Sequence, residues 1–264
     1  MSIIATHGLT RRFGTTTAVD SLDLAVEAGE IFGLVGRNGA GKTTTIKMLT
    51  TLLPPSAGTA IVGGYDIGSQ AAQVRRVIGY VPQALSADGE LTGYENLLVF
   101  ARLFDIPRAE RAARIAEALA FMDLSEAADR MVRSYSGGMI RRLEIAQSTL
   151  HRPRVLFLDE PTVGLDPLAR HAVWKHVARL NAESGTTVVL TTHYMDEAEA
   201  LCDRLGVMYR GALAAVDSPA GLKSRLGPEA TLDDAFTQFT GGAPEGEGSY
   251  VEISRVRGTA GRLG

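Results

Sequence analysis

Residues 31–43 read IFGLVGRNGAGKT, an apolar run followed by a glycine-rich segment that ends in Lys42 and Thr43. The apolar run suits a buried strand, and the apolar positions after Thr43 recur at helical spacing. The spacing G-x-x-x-x-G-K-[ST] is typical of a loop whose backbone N–H groups and following helix N-terminus point at phosphate oxygens. We expect a nucleoside triphosphate here, with Lys42 on its outer phosphates and the Thr43 hydroxyl on Mg²⁺. The predicted phosphate-binding residues are Gly36, Arg37, Asn38, Gly39, Ala40, Gly41, Lys42, Thr43 and Thr44.

A second apolar run, 155–158, ends in two adjacent carboxylates, Asp159 and Glu160. Because neighbouring residues on a strand face opposite ways, we expect Asp159 to reach Mg²⁺ while Glu160 faces the γ-phosphate. A carboxylate there can polarise the attacking water, which phosphoryl transfer requires besides charge neutralisation. The pattern therefore predicts that Glu160 can activate water for phosphoryl transfer.

Three further features are each weak when taken alone. Gln83 follows the run 77–81 and places an amide at the end of a predicted strand. His193 follows the predicted strand 187–191, where an imidazole could contact a terminal phosphate. Residues 136–138 read Ser-Gly-Gly before a helical pattern, which favours a second anion site at a helix start. Their order along the chain gives these features weight.

The composition is that of an ordinary globular protein. Of its 264 residues, 45% are hydrophobic and 22% charged, and the formal net charge of −3 gives no basic surface for a nucleic acid. No apolar run approaches the roughly 20 residues of a membrane helix. The single Cys202 suits a reducing compartment and is predicted to be a buried core thiol. We expect a cytoplasmic protein without a nucleic-acid partner, whose membrane role depends on another polypeptide.

Strand and helix patterns divide the chain into an α/β arrangement. Short strands are predicted over 1–65, helices over about 88–150, and alternating strands and helices after residue 150. Such alternation favours a mostly parallel sheet covered by helices. The helix after Thr43 is predicted to carry Leu53 on its apolar face and to end at the proline pair that follows.

The order of these motifs resembles the nucleotide-binding subunits of ABC transporters, across nearly the whole chain to about residue 240. Ser-Gly-Gly is diagnostic, because other phosphate-loop ATPases lack it, and Gly164 to Pro167 resembles the D-loop of the family. The resemblance implies a P-loop NTPase with a RecA-like, mostly parallel sheet core. It also implies an N-terminal antiparallel β subdomain and an α-helical subdomain inserted at about 88–150. One ATPase domain would span 1–240, followed by a flexible tail over 241–264.

Roles carry over from the family by position. The resemblance implies that Phe13 stacks on adenine, and that Thr43, Gln83 and Asp159 serve Mg²⁺ directly or through water. Glu160 would be the catalytic base, and His193 would hold the γ-phosphate and the attacking water in place. ATP and Mg²⁺ are thus the implied cofactors, and ATP hydrolysis the implied reaction.

The resemblance also implies partners. Two copies would pair head to tail on binding ATP, so that Ser136, Gly137 and Gly138 of one copy close over ATP held by the other. Asp166 would link the two sites. A separate transmembrane permease would dock near Ala84 to Glu90, placing the protein on the inner face of the cell membrane.

Two positions depart from the usual family signature, in which a leucine precedes Ser-Gly-Gly and a glutamine follows. Here Tyr135 precedes it and Met139 follows, and methionine cannot supply the hydrogen bonds of an amide. We still expect activity, since Ser-Gly-Gly is intact. The version Tyr-Ser-Gly-Gly-Met looks most like the daunorubicin-resistance type of drug-export ATPase. This likeness implies export of a small molecule such as a drug or a lipid-like compound.

Three alternatives follow from the same motifs. The first is a soluble ABC-type ATPase, of which an iron–sulfur assembly ATPase fits best, because translation factors carry two ATPase halves and repair members long coiled coils. The second is a non-hydrolytic regulator, which should lack the base or the histidine, whereas Glu160 and His193 are present. The third is a phosphate-loop kinase, which should lack Ser-Gly-Gly.

Overall fold

Strands form a small and a large sheet in the computed structural model, which describes residues 2–241. The predicted flexible tail therefore lies, except for residue 241, outside the described residues. The strands are β1 (Ser2–Phe13), β2 (Thr16–Glu27), β3 (Ile31–Val35), β4 (Ala57–Val62), β5 (Tyr65–Asp66), β6 (Ile78–Val81), β7 (Val155–Asp159), β8 (Thr187–Thr192), β9 (Arg204–Tyr209) and β10 (Ala212–Asp217).

Helices separate most strands of the large sheet, and a group of three lies between β6 and β7. This group begins with a capping box, in which Thr92 and Glu95 exchange hydrogen bonds as their sequence spacing predicts. The helices are α1 (Lys42–Leu49), α2 (Ala71–Val77), α3 (Gly93–Leu103), α4 (Arg108–Phe121), α5 (Gly137–Thr149), α6 (Pro167–Ser184), α7 (Met195–Leu201), α8 (Pro219–Ser224) and α9 (Leu232–Phe239), with 3₁₀ turns at Ser125–Ala127 and Val132–Ser134.

The small sheet is antiparallel, in the order β2-β1-β4-β5, and the large sheet runs β10-β9-β3-β8-β7-β6. Every pair of the large sheet from β9 to β6 is parallel, and β10 adds an antiparallel edge. The predicted α/β fold with a mostly parallel sheet is therefore confirmed. Because β3, β8, β7 and β6 are parallel neighbours, the loops that follow them all leave the sheet at the same edge.

Alternation along the strands of the large sheet sends side chains into two cores. Leu156 and Leu158 face the core beneath α3 to α6, whereas Val155 and Phe157 face the core shared with the small sheet. All four are fully buried. Being apolar on both faces, β7 is fixed in the middle of the molecule, and the carboxylates that follow it are fixed with it.

Some local predictions were wrong. Helix α1 ends at Leu49, before the proline pair, because Thr51 adopts a left-handed backbone with φ of 62° and Leu53 lies beyond the helix. β-Branched threonines are poor helix formers, and the Thr50 hydroxyl turns back to the Ile46 carbonyl. The N-terminal strands β1 and β2 are long, with 12 residues each, rather than short.

Cys202 is buried as predicted, and it lies between the end of α7 at Leu201 and the start of β9 at Arg204. Among residues 2–241, no helix is both long and apolar enough to cross a membrane.

Candidate active site

The loops that leave one edge of the large sheet carry the predicted functional residues. The sheet order places β3, β8, β7 and β6 side by side, all parallel. They lead, in that order, into the glycine-rich loop, His193, the Asp159–Glu160 pair and Gln83. Residues far apart in sequence therefore meet at the carboxyl ends of four neighbouring strands, where open α/β sheets bind their ligands.

The glycine-rich loop wraps around the side chain of Lys42. Its Nζ donates to the Gly36 carbonyl at 2.7 Å and lies 3.3 Å from the Arg37 carbonyl. Gly41 caps α1 with φ of 105°, and a Cβ there would lie 2.5 Å from the Ala18 carbonyl. Only glycine fits this conformation and this close approach, so the loop's shape depends on it.

Burial lowers the pKa of Lys42, although the nearby Glu160 and Asp159 oppose the shift. The Lys42 side chain is only 4% exposed, so its charge is poorly screened by water. A cation held in this way acts strongly on an anion placed in the loop.

Asp159 is buried and receives two hydroxyl hydrogen bonds. The Thr43 hydroxyl donates to Oδ1 at 3.0 Å and the Thr191 hydroxyl donates to the same oxygen at 2.6 Å. A threonine hydroxyl and a carboxylate are hard oxygen ligands of the kind that Mg²⁺ prefers. Residues 2–241 contain no group of three His, Cys, Asp or Glu side chains suited to holding a metal. The Thr43 hydroxyl and the Asp159 carboxylate fit a magnesium ion that is bound together with the phosphates of a nucleotide.

Three side chains converge on Glu160. Its Oε1 lies 3.4 Å from Lys42 Nζ and 3.5 Å from His193 Nδ1, and its Oε2 accepts a hydrogen bond from Gln83 Nε2 at 3.0 Å. The carboxylate is buried next to a cation, an amide and an imidazole. Such surroundings can hold it in one orientation toward a bound phosphate.

The direction of Glu160 has a different cause from the predicted one. Strand β7 ends at Asp159, and Glu160 turns with a left-handed φ of 48° rather than continuing the alternation of a strand. Its N–H is held by the carbonyl of Thr191 at 3.1 Å and by the Thr191 hydroxyl at 2.9 Å. A non-glycine residue in this region is strained, and such strain concentrates at functional sites.

A cavity of about 400 Å³ opens above these groups. Its volume lies within the range of roughly 300–1,000 Å³ that is usual for small-ligand sites. Ala18 of β2 is a lining residue that the sequence did not predict, since its position depends on how β2 packs against α1. The lining residues are Ala18, Asn38, Gly39, Gly41, Lys42, Thr43, Thr44, Gln83 and Glu160.

Two groups of predicted residues lie elsewhere. Phe13 is 47% exposed, with the Arg11 guanidinium 4.7 Å from its ring centre, and it is not among the residues lining the cavity. Ser136 caps α5 by accepting from the Met139 N–H, and Asp166 caps α6 in the same way. Neither cap lines the cavity of its own chain.

Sequence reasoning missed Glu197. Trp174 is buried, and its Nε1 donates to Glu197 Oε1 at 2.9 Å, while the Thr162 hydroxyl donates to the same oxygen at 2.8 Å. Burial raises the pKa of Glu197 above its ordinary value. No spacing marks this residue in the sequence, because its partners come from α6 and from the loop after Glu160.

Taken together, the parallel sheet, the phosphate loop and the carboxylates at its edge define a P-loop ATPase. Residues 19–163 match the sequence model of a family described as ABC transporter. The chain belongs to the ABC transporter family, and it is an ATP-binding, ATP-hydrolysing subunit. The predicted family, fold class and enzymatic activity are thereby confirmed.

Curated relatives agree with this assignment. The chain is 49% identical over 224 residues to the daunorubicin/doxorubicin resistance ATP-binding protein DrrA of Streptomyces peucetius, covering 85% of this chain and 68% of that one. It is 39% identical over 230 residues to the linearmycin resistance ATP-binding protein LnrL of Bacillus subtilis (strain 168), covering 87% and 74%. These relatives give no support to the iron–sulfur alternative.

A solved structure described as that of an ATP-binding subunit of an ABC transporter superposes with a TM-score of 0.80 at 28% identity. The match covers 90% of this chain and 99% of the other. The architecture of this family therefore extends over nearly all the described residues.

Proposed function

We propose that this subunit powers the export of a small, drug-like or lipid-like compound through a separate transmembrane permease, and that two copies pair on binding ATP. The names of similar proteins support export: besides DrrA and LnrL, they include a Nod factor export ATP-binding protein I of Ralstonia nicotianae that is 46% identical over 217 residues. In our proposal one ATPase domain spans residues 1–240, with helices inserted at about 88–150.

The observation that carries the pairing is the position of Ser136. It lies at the exposed N-terminus of α5, where free N–H groups and the helix dipole favour an anion, yet it does not line the cavity of its own chain. The adjacent Gly137 and Gly138 approach Leu165 and Ala169, on either side of Asp166. Nearby on α6, Leu168 is 84% exposed. A second copy, turned head to tail, would cover this surface and complete both sites.

Each group at the sheet edge has a task in hydrolysis. Lys42 and the loop N–H groups hold the phosphates, while Phe13 offers an exposed ring for stacking on adenine. Glu160 accepts a proton from the attacking water, with its orientation set by Gln83 and His193. When bound, Mg²⁺ would be held by Thr43 and Asp159, and by Gln83 directly or through water, and would neutralise charge on the phosphates.

The permease is proposed to dock on the loop after Gln83 and on α3. Leu85 is 50% exposed and Leu103 is 70% exposed, and Val99 adds a third exposed apolar side chain. Exposed apolar residues on and beside a functional loop are candidates for an interaction surface. Docking there would hold the protein at the inner face of the membrane, and its net charge of −3 gives it no attraction to a nucleic acid.

Glu160→Gln tests this proposal. The amide keeps the shape of the carboxylate but cannot accept the proton, so ATP should still bind while hydrolysis falls by roughly 10²–10⁴-fold. Dimers should then accumulate in ATP, as measured by sedimentation, and Glu183→Gln on the exposed end of α6 is the control. Near-normal turnover of Glu160→Gln would exclude Glu160 as the catalytic base. If Glu160→Gln binds ATP but stays a monomer, the proposed pairing of two copies is excluded. Transport by the wild type with a co-purifying permease tests the export assignment.

A further inference from the structure

Helix α5 buries a polar stripe. Arg141, Glu144 and Gln147 are each 2% exposed, and Ser148 is also buried. Their spacing of three or four residues places them on one side of the helix. Burying an ion pair is seldom a net gain in stability, so such a pair is more readily explained by what it holds in place.

Arg141 holds the backbone of the loop that carries Gln83. Its Nη1 donates to the Pro82 carbonyl at 2.6 Å, and its Nη2 donates to the Gln83 carbonyl at 2.7 Å. Nη1 also donates to Glu144 Oε2 at 2.9 Å. A planar guanidinium that bridges two successive carbonyls and a carboxylate has little freedom to turn.

Glu144 holds the same loop three residues further on. Its Oε1 accepts hydrogen bonds from the backbone N–H of Ser86 and from the Ser86 hydroxyl. Asn96 exchanges two hydrogen bonds with the backbone of Asp88, and Gln147 donates to the same Asn96 at 3.3 Å. The segment 82–88 is therefore attached to α5 along its length, directly or through Asn96.

Both ends of this connection lie at functional groups. The helix begins at the Ser136 cap, which is about one and a half turns, or roughly 7 Å, from Arg141. At the other end, the side chain of Gln83 donates to Glu160. A displacement of the start of α5 would thus be carried by the helix to the loop that sets the Gln83 amide against Glu160.

We propose that Arg141 and Glu144 are positioning residues that couple the Ser136 end of α5 to the Gln83–Glu160 contact. Closure of the Ser136–Gly138 segment on the nucleotide of a second copy would then adjust the hydrolytic carboxylate of the first. This coupling rests on the proposed pairing of two copies. The exposed Leu85 lies within the segment held by α5, so a docked permease would act on the same contact.

A double-mutant cycle on the rate of ATP hydrolysis tests this role, using the full chain under conditions where the wild type turns over. If Arg141 acts through Gln83, Arg141→Met and Gln83→Ala should each lower kcat by roughly 10-fold, and the double variant by about the same factor, instead of the roughly 100-fold expected of independent sites. Arg142→Met is the matched control. It lies on the same helix but donates to the Met122 carbonyl instead, so its effect should multiply with that of Gln83→Ala.

Multiplying effects of Arg141→Met and Gln83→Ala, or a normal kcat for a folded Arg141→Met, would overturn the coupling. If Arg141→Met does not fold, Glu144→Gln and Ser86→Ala enter the same cycle, with the same two outcomes. Sedimentation of Glu160→Gln in ATP separates the two proposals. If Glu160→Gln forms no dimers in ATP, the pairing is rejected. If it forms dimers but the effects of Arg141→Met and Gln83→Ala on kcat multiply, only the coupling is rejected.

Discussion

The indole of Trp174 donates a hydrogen bond to the carboxyl of Glu197 at 2.9 Å, inside the protein. Glu197 has no exposed surface, and Thr162 donates to the same oxygen. The contact joins three segments: helix α6, the loop that follows Glu160, and helix α7, which begins two residues after His193. The segments that follow Glu160 and His193 are therefore linked to each other through Glu197.

Ionisation of Glu197 should cost stability. Burial raises its pKa above the ordinary value of 4.5, so the folded protein binds this proton more tightly than the unfolded chain does. As the pH rises above 4.5, the unfolded chain loses the proton first. The free energy of unfolding therefore falls between pH 4.5 and the raised pKa of Glu197 in the folded protein. Glu197→Gln keeps an oxygen for Trp174 and Thr162 but removes the charge. Its melting temperature, measured against pH, should therefore rise relative to that of the wild type as the pH increases.

Glu199→Gln is the matched control for this prediction. Glu199 lies on the same helix but is about half exposed and pairs with Lys223. Its replacement should leave the pH dependence of the melting temperature close to that of the wild type. An identical pH dependence for Glu197→Gln and the wild type would show that burial does not raise the pKa of Glu197.

Gly41→Ala should abolish tight ATP binding. The added Cβ would lie 2.5 Å from the Ala18 carbonyl, and the backbone φ of 105° is strained for alanine. Gly39→Ala separates the two effects, because φ there is 81° but no atom lies within 4 Å of its Cβ. We expect Gly39→Ala to weaken nucleotide binding only by the roughly 1–2 kcal/mol of left-handed strain, which is about 5- to 30-fold, and Gly41→Ala to weaken it by at least about 100-fold. Equal losses in a titration with a fluorescent nucleotide would argue against the clash.

Two exposed leucines should separate docking from pairing. Leu103→Asp places a charge on the surface proposed for the permease, so transport should fall by at least about 10-fold while ATP-driven pairing of the Glu160→Gln form persists. Leu168→Asp places a charge beside the Ser136 surface, so it should prevent that pairing. Sedimentation and a transport assay measure the two effects. Loss of pairing in Leu103→Asp, or normal pairing in Leu168→Asp, would mean that the surfaces are wrongly assigned.

Met139→Gln should change little. The family's usual glutamine is absent, and the side chain of Met139 is partly buried against the core beneath α3 to α6. Restoring the amide should leave kcat within about 3-fold of the wild type and lower stability by up to about 1 kcal/mol, through lost apolar burial. A large gain in kcat, measured by phosphate release, would show instead that the methionine limits a contact with the nucleotide.

Several features followed from contiguous residues alone. The phosphate loop is defined by eight neighbouring positions, and the capping box of α3 by four. Both can therefore be recognised from the sequence without knowledge of the fold. The apolar run Ile31 to Val35 coincides with β3, because an apolar run between turn residues has few alternatives. The prediction of the end of α1 was wrong, because threonines, which are poor helix formers, and the left-handed Thr51 end the helix before the proline pair.

The sequence by itself determined most strands of the large sheet, the order of the motifs and the kind of reaction, since apolar runs and motifs consist of residues close together in the chain. Only the tertiary structure decided which groups surround Glu160: its partner Gln83 lies 77 residues away, and Thr43 reaches Asp159 across 116. It also turned Glu160 into a left-handed conformation and kept Ser136 away from the cavity of its own chain. The physical reason is that distances and orientations between separate elements are set by how the sheet and helices pack, which no local pattern encodes.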